Sequence, residues 1–199
     1  GQQKTEAVRT FQELRRMALG FPSGSLYKQA ISRLVRLEPN LDLQKLFDDT
    51  SSVPNNPPPE IKVAEWIDQA PKKLTELRGQ VVLLDFWAVW CGPCRYTLPN
   101  LERWHKTYKN KGLVVIGIND YEGQISGRKM TEPEELEYLK QFKKQNRLSY
   151  GFAVADSNVN HLNYGAFTIP MSFLIDRRGV VRYISAGAAD EEIAELERM

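Results

Sequence analysis

Between Val81 and Trp87 the chain reads VVLLDFW, seven residues of which only Asp85 is polar. A strand with one wet face alternates apolar and polar residues, whereas a run this continuous fits a strand covered on both faces, inside a sheet flanked by helices. Such a strand needs further layers above and below it. The sequence that follows supplies candidates for them, and it also places the chain's two cysteines, Cys91 and Cys94, directly behind the strand in AVWCGPCRY.

Downstream, strand-like and helical patterns alternate. A helical stretch from Cys94 to Lys109 precedes the strand LVVIGI, Leu113 to Ile118. Thr131-Glu132-Pro133-Glu134 fits a capping box and opens a helix running to Gln145. A strand over Tyr150–Ala155 and a helical turn around His161 lead to SFLID, the turn RRG and VVRYI, which read as a hairpin, and a last helix starts near Asp190. Upstream, IKV and EWI read as short strands and LTEL as a small helical turn. The expected fold class is α/β, a three-layer domain with a mixed central sheet.

The first fifty residues differ in character. From 4 to 47 the pattern is helical, with Val8, Phe11, Leu14, Ala18 and Phe21 on one stripe and Leu26, Ala30, Ile31, Leu34 and Leu37 on a second. Gly20, Pro22 and Gly24 break the first run, Pro39-Asn40 ends the second, and LDLQKLF reads as a short third helix. A single helical pair of this kind cannot bury its own face, and no second copy follows it. The segment TSSVPNNPPPE has no apolar period and is rich in proline, which favours extended chain. The expected organisation is therefore a helical N-terminal extension over 1–50, a Pro-rich linker over 51–60 and the α/β domain over 61–199.

Bulk properties narrow the function classes. Hydrophobic residues at 42% and charged residues at 26% match a globular protein in water. A formal net charge of +2, with both signs interleaved, gives no footprint for nucleic acid. No window approaches the roughly 18 apolar residues of a membrane helix, and GQQKTEAVR has no signal-peptide pattern. The expectation is no nucleic-acid partner and no transmembrane segment in this chain.

Cys91-Gly92-Pro93-Cys94 admits four readings. Zinc needs four ligands, and the only other soft candidates, His105 and His161, are distant and not paired, so no metal site is expected. Covalent haem attachment needs histidine after the second cysteine, where Arg95 stands. A purely structural disulfide across two residues closes too small a loop to stabilise much. A redox dithiol fits the context best: at a strand-to-helix junction the first cysteine meets free backbone N–H groups and the positive end of the helix dipole, a setting that lowers a thiol pKa from about 8.5 to roughly 3.5–7.5. Cys91 is then the exposed nucleophile and Cys94 its more buried mate. Gly92 leaves room for a substrate backbone, and Pro93 stiffens the first turn. Asp85, ionisable inside an apolar strand, should have a raised pKa and accept a proton near neutrality, unless a lysine or backbone donor holds it ionised.

FWAVWCGPC, the later Ile169-Pro170 and the closing FLID-RRG-VVRYI-AG pattern resemble the thioredoxin superfamily over residues 60 to 199. With LTELRGQVVLLDFWA, LPNLERWHKTYKNKGLVVIGI and an added helix and strand between 131 and 155, the match is more narrowly to thiol-disulfide oxidoreductases of the TlpA/ResA type, also described as redoxin or AhpC/TSA-like. The resemblance implies a thioredoxin-like fold and an enzyme that exchanges a Cys91/Cys94 dithiol or disulfide with protein substrates, working as a reductant. It implies that Asp85 helps deprotonate Cys94, and that Trp90, Gly92, Pro93, Ile169 and Pro170 form the substrate-binding rim, Ile169-Pro170 as a cis-proline loop. It further implies an upstream thiol electron donor, no cofactor, a monomer, and an extracytoplasmic location, periplasmic or membrane-anchored in a bacterium. The chain departs from the pattern twice: Met171 replaces the usual threonine after the proline, and Asp85 stands where many TlpA-like relatives carry asparagine. Two alternatives stay open. An AhpC/TSA-type thiol peroxidase would need a Pro-x-x-x-Thr/Ser-x-x-Cys setting, but Phe86 to Trp90 precede Cys91. A non-catalytic thioredoxin-like module could hold Cu(I) between the two thiols.

Overall fold

The computed structural model describes residues 2–42 and 56–199. Strands β1 (Glu65–Ile67), β2 (Val81–Phe86), β3 (Leu113–Asp120), β6 (Gly151–Ala155), β7 (Met171–Ile175) and β8 (Val181–Ser185) form one sheet in the order β1-β6-β3-β2-β7-β8, and β4 (Gln124–Ile125) with β5 (Arg128–Lys129) forms a separate ribbon. The sheet is mixed: β2 runs parallel to β3 and antiparallel to β7. The helices are α1 (Gln2–Gly20), α2 (Gly24–Leu37), α3 (Gly92–Tyr108), α4 (Glu132–Gln145), α5 (Val159–Tyr164) and α6 (Asp190–Arg198).

The unbroken apolar run of β2 is explained by its central place. Val82, Leu84 and Phe86 point into one core, beside Ala18, Leu19 and Tyr27 of the N-terminal helices and Tyr164 of α5. Leu83 and, just past the strand, Trp87 point into the other, against Leu98, Leu101 and Trp104 of α3, Phe142 of α4 and Leu196 of α6. By the two-residue period of a strand, Asp85 shares the α3 side with Leu83 and Trp87. That alternation places the acid in the same layer as the cysteines.

Several boundaries moved for identifiable reasons. Helix α3 begins at Gly92 rather than Cys94, because Cys91 serves as its N-cap and Pro93 fits the first turn, where no N–H is needed. Strand β3 continues to Asp120, paired with β6 through that residue. Of the two strand-like pieces at 61–67, EWI pairs with β6 while IKV lies outside the ladder. The capping box is present, with Thr131 N–H donating to the Glu134 carboxylate at 2.8 Å.

In the N-terminal pair, Ala18, Ala30 and Leu34 are buried as the stripes require, but Phe21 and Leu26 are exposed, and Arg15 and Tyr27 take buried places instead. The Arg15 charge acts on the buried Tyr27 phenol, partly offsetting the desolvation that raises its pKa, and Tyr27 packs edge-on against Tyr183 of β8 at 6.3 Å, at the sheet edge. The expected third helix, LDLQKLF, and residues 51–55 of the Pro-rich segment fall almost wholly outside the described residues. Residues beyond them are tied down: the Pro59 carbonyl accepts from Tyr164 Oη at 2.6 Å, and the Glu60 carboxylate accepts from Leu74 N–H at 2.6 Å and Thr75 N–H at 3.0 Å.

Candidate active site

The turn between β2 and α3 is fastened before it reaches the cysteines. Trp87 N–H donates to the Ile118 carbonyl at 3.1 Å, and buried Asn119 donates through Nδ2 to the Trp87 carbonyl at 3.0 Å. Cys91 N–H then closes a tight turn onto the Ala88 carbonyl at 3.1 Å. These bonds deliver Cys91 to the N-terminus of α3, where its Sγ accepts from Cys94 N–H at 3.1 Å. The sulfur thus occupies the position a side-chain oxygen takes in an ordinary N-cap, the place where the helix dipole favours negative charge.

Cys91 and Cys94 are joined by a disulfide, their Cα atoms 5.2 Å apart. Cys94 is fully buried, as the sequence leads one to expect, but Cys91 is only 4% accessible, less open than an attacking nucleophile was expected to be. The covering comes from its neighbours: Ala88 and Val89 are buried beside it, while Trp90, Gly92 and Pro93 stand exposed around it. Gly92 has nothing within 4 Å of the position a Cβ would take, so the rim is open on that side.

Asp85, on the α3 side of β2, is 1% exposed. Its Oδ1 accepts from Ser172 Oγ at 2.7 Å, across the β2/β7 pairing that sets Asp85 opposite Ser172. Its Oδ2 is buried with no hydrogen-bond partner among the described residues. Burial pushes the carboxyl up from 3.8 to about 7, the Ser172 hydroxyl pulling back only in part. Among the described residues the bonded partner of Asp85 is Ser172, not a lysine or a backbone donor. On the other side of the strand its register partner is Gly117, where a Cβ would meet Trp87 Nε1 at 2.8 Å, so no cationic side chain fits there.

The Ile169-Pro170 bond is cis, and it precedes β7, whose Met171 pairs with Phe86. Ile169 packs against the cluster that contains both cysteines. Together with Trp90, Phe167 and His161 it also lines a cleft of about 430 Å³ whose wall includes Ala88, three residues before Cys91. Trp90 and Phe167, 59% and 64% exposed, are its apolar walls. Trp90 Nε1 donates to the Glu122 carboxylate at 2.6 Å, and Glu122 N–H and Gly123 N–H in turn donate to the buried Glu135 carboxylate of α4, at 3.0 and 3.2 Å.

Sequence reasoning left His161 without a place because 70 positions separate it from Cys91. The fold brings it to the cleft, edge-on to Phe86 at 5.1 Å, its Nδ1 2.8 Å from the Ala166 carbonyl and its Nε2 3.4 Å from Asp120. His105, set aside above as an unpaired zinc candidate, is half-buried near Tyr150, and desolvation lowers its pKa. Ser172 was missed altogether; only strand register reveals it. Trp87 is core, stacked on Phe142, as its place in the apolar run implies.

Comparison with known proteins agrees with this geometry. The model of the AhpC/TSA family matches residues 54–184. Protein DipZ of Mycobacterium tuberculosis is 31% identical over 144 residues, covering 69% of this chain and 19% of DipZ. The thiol-disulfide oxidoreductase ResA of Bacillus cereus is 30% identical over 124 residues, 62% of this chain and 65% of ResA. The chain thus spans less than two thirds of either relative. StoA from Bacillus subtilis, at 20% identity and a TM-score of 0.55 over 71% of this chain and 96% of StoA, shows the same fold.

Proposed function

The chain belongs to the AhpC/TSA family, and from that membership and the geometry we propose that it is a thiol-disulfide oxidoreductase whose Cys91/Cys94 pair exchanges electrons with protein substrates. One observation carries this reading: a disulfide across two residues caps helix α3, on the side of the sheet where β2 carries a buried carboxyl whose pKa burial raises to about 7.

In the reduced protein, the Cys91 thiolate is stabilised by the Cys94 N–H and the helix N-terminus. It attacks one sulfur of a substrate disulfide; the substrate S–S bond breaks, the second substrate sulfur leaves as a thiolate, and Cys91 is left in a mixed disulfide. Asp85, ionised, takes the Cys94 proton, its buried Oδ2 being the oxygen that Ser172 leaves unbonded. The Cys94 thiolate then attacks Cys91 Sγ, the mixed disulfide breaks, the substrate sulfur that Cys91 held leaves as a thiolate and takes up a proton, and the Cys91–Cys94 bond seen in the structure forms. Two electrons pass to the substrate, and an upstream dithiol returns them. Trp90, Gly92, Pro93, Ile169 and Pro170 form the rim along which the substrate chain lies, with the backbone of the proline loop pairing to it as an added strand.

Cys91→Ser is expected to abolish insulin disulfide reduction, and Cys94→Ser to accumulate mixed disulfides that reducing agent releases. Reduction that survives both changes would refute the reading. A peroxidase is disfavoured because the five residues before Cys91 offer no hydroxyl to activate peroxide. The reducing direction and an extracytoplasmic setting, with a protein donor, follow from likeness to the TlpA/ResA type. Among the described residues no helix is long and apolar enough to cross a membrane. A redox titration against glutathione tests the direction, where about 30 mV corresponds to about 1.4 kcal/mol.

A further inference from the structure

The family match starts at residue 54 and leaves out the α1–α2 hairpin, yet the turn of that hairpin touches both ends of the proline loop. At one end, Ser25 N–H donates to the Gly165 carbonyl at 2.9 Å. Gly165 has φ +54°, and a Cβ there would lie 2.7 Å from Ser23 Oγ and 3.2 Å from Ser23 Cα. At the other end, a Cβ on Gly24 would lie 1.7 Å from Sδ and 3.2 Å from Cγ of Met171, the residue directly after Pro170. Gly24 has no left-handed φ, so its lack of a side chain answers to Met171 and not to the backbone. Behind the turn, Ala18, Leu19 and Tyr27 share one core with Tyr164, Ala166, Met171 and Phe173.

Three consecutive residues, Ser23 to Ser25, therefore brace the loop 165–171 where it leaves α5 and where it enters β7. We propose that this turn is a positioning element for the substrate rim: it sets the placement of the Ile169-Pro170 edge beside Cys91, so the N-terminal hairpin belongs to the apparatus that receives protein substrates. The inference rests on the dithiol-exchange reading above and extends it to a part of the chain with no assigned role. A protein disulfide must align its backbone along the loop, whereas a small aromatic disulfide needs only a path to the sulfur. A displacement of the loop should separate the two reactions, because errors of about 1 Å in a positioned substrate can lower rates about 10²-fold.

The test uses the full chain and four variants: Gly24→Ala, Gly24→Val, Met171→Ala and Gly24→Val with Met171→Ala. Each is reduced and assayed on insulin and on 5,5′-dithiobis(2-nitrobenzoate). For Gly24→Val the expected result is a fall of about tenfold or more in kcat/KM for insulin, chiefly through KM, with the small-disulfide rate kept within about twofold. The double variant should regain most of the insulin activity, since removing the thioether makes room for the new side chain. An equal loss on both substrates, no change in a folded Gly24→Val protein, or no recovery in the double variant would overturn the proposal. Should Gly24→Val fail to fold, Gly24→Ala is read by the same ratio. If the unaltered protein reduces neither substrate, the dithiol reading fails; the positioning claim is then decided by amide hydrogen exchange over 165–171, expected to quicken in Gly24→Ala and contradicted if unchanged.

Discussion

At the scale of single residues the site is an exercise in where charge is tolerated. A sulfur anion is favoured at Cys91 because a backbone N–H and a helix end face it; a carboxylate is disfavoured at Asp85 because apolar side chains surround it and one hydroxyl is its bonded partner. With its folded pKa near 7 and its ordinary value at 3.8, Asp85 keeps a proton in the folded protein that the unfolded chain has released. Stability contributed by that proton is therefore full at about pH 4 and is lost as pH rises toward and through about 7. Asp85→Asn is expected to be more stable than the unaltered protein at pH 8, by on the order of 2–4 kcal/mol, with the gain vanishing near pH 4; urea unfolding at the two pH values measures it. The same substitution should slow resolution of the mixed disulfide by about 10²-fold and flatten its rise with pH around 7. Ser172→Ala removes the donor that favours the carboxylate, so in stopped-flow measurements the rise should move to higher pH. A shift to lower pH would contradict the assigned bond.

At the scale of elements, the sheet and its covering helices are largely legible in the sequence, since β2 announces its burial in an unbroken run and α4 its start in Thr131–Glu134. Other features are not, and for physical reasons. The β4–β5 ribbon consists of two-residue strands, too short for a period to show. Ser172 and His161 reach the site only through strand pairing and chain reversal, which act between residues distant in sequence. Phe21 has the spacing of the α1 stripe, yet α1 ends at Gly20 and the chain turns away there. Helix α4 has a further duty that its pattern hides: Glu135 is buried and binds the N–H groups of Glu122 and Gly123, holding the loop to which Trp90 is bonded. Glu135→Ala leaves those donors unpaired and is expected to destabilise by about 1–3 kcal/mol in urea. Its Trp90 fluorescence should become more accessible to iodide quenching, and unchanged quenching would separate the loop from the indole.

At the scale of the whole molecule, two cores sandwich one sheet, and the N-terminal helices supply part of the second. Leu34 in α2 and Phe173 in β7 lie in buried surroundings, neither with measurable exposure. Native-state hydrogen exchange should accordingly report opening free energies for α2 within about 1 kcal/mol of those for β7. An α2 that opens far more readily would show the hairpin to be a loose appendage. All of this structure serves the presentation of one sulfur, 4% exposed and backed by a fully buried mate. The pH dependence of iodoacetamide alkylation of the reduced protein, mapped by mass spectrometry, tests that most directly. Labelling confined to Cys91, with a midpoint well below the ordinary thiol value of about 8.5, is the expected result. A midpoint at or above that value, or first labelling at Cys94, would contradict it.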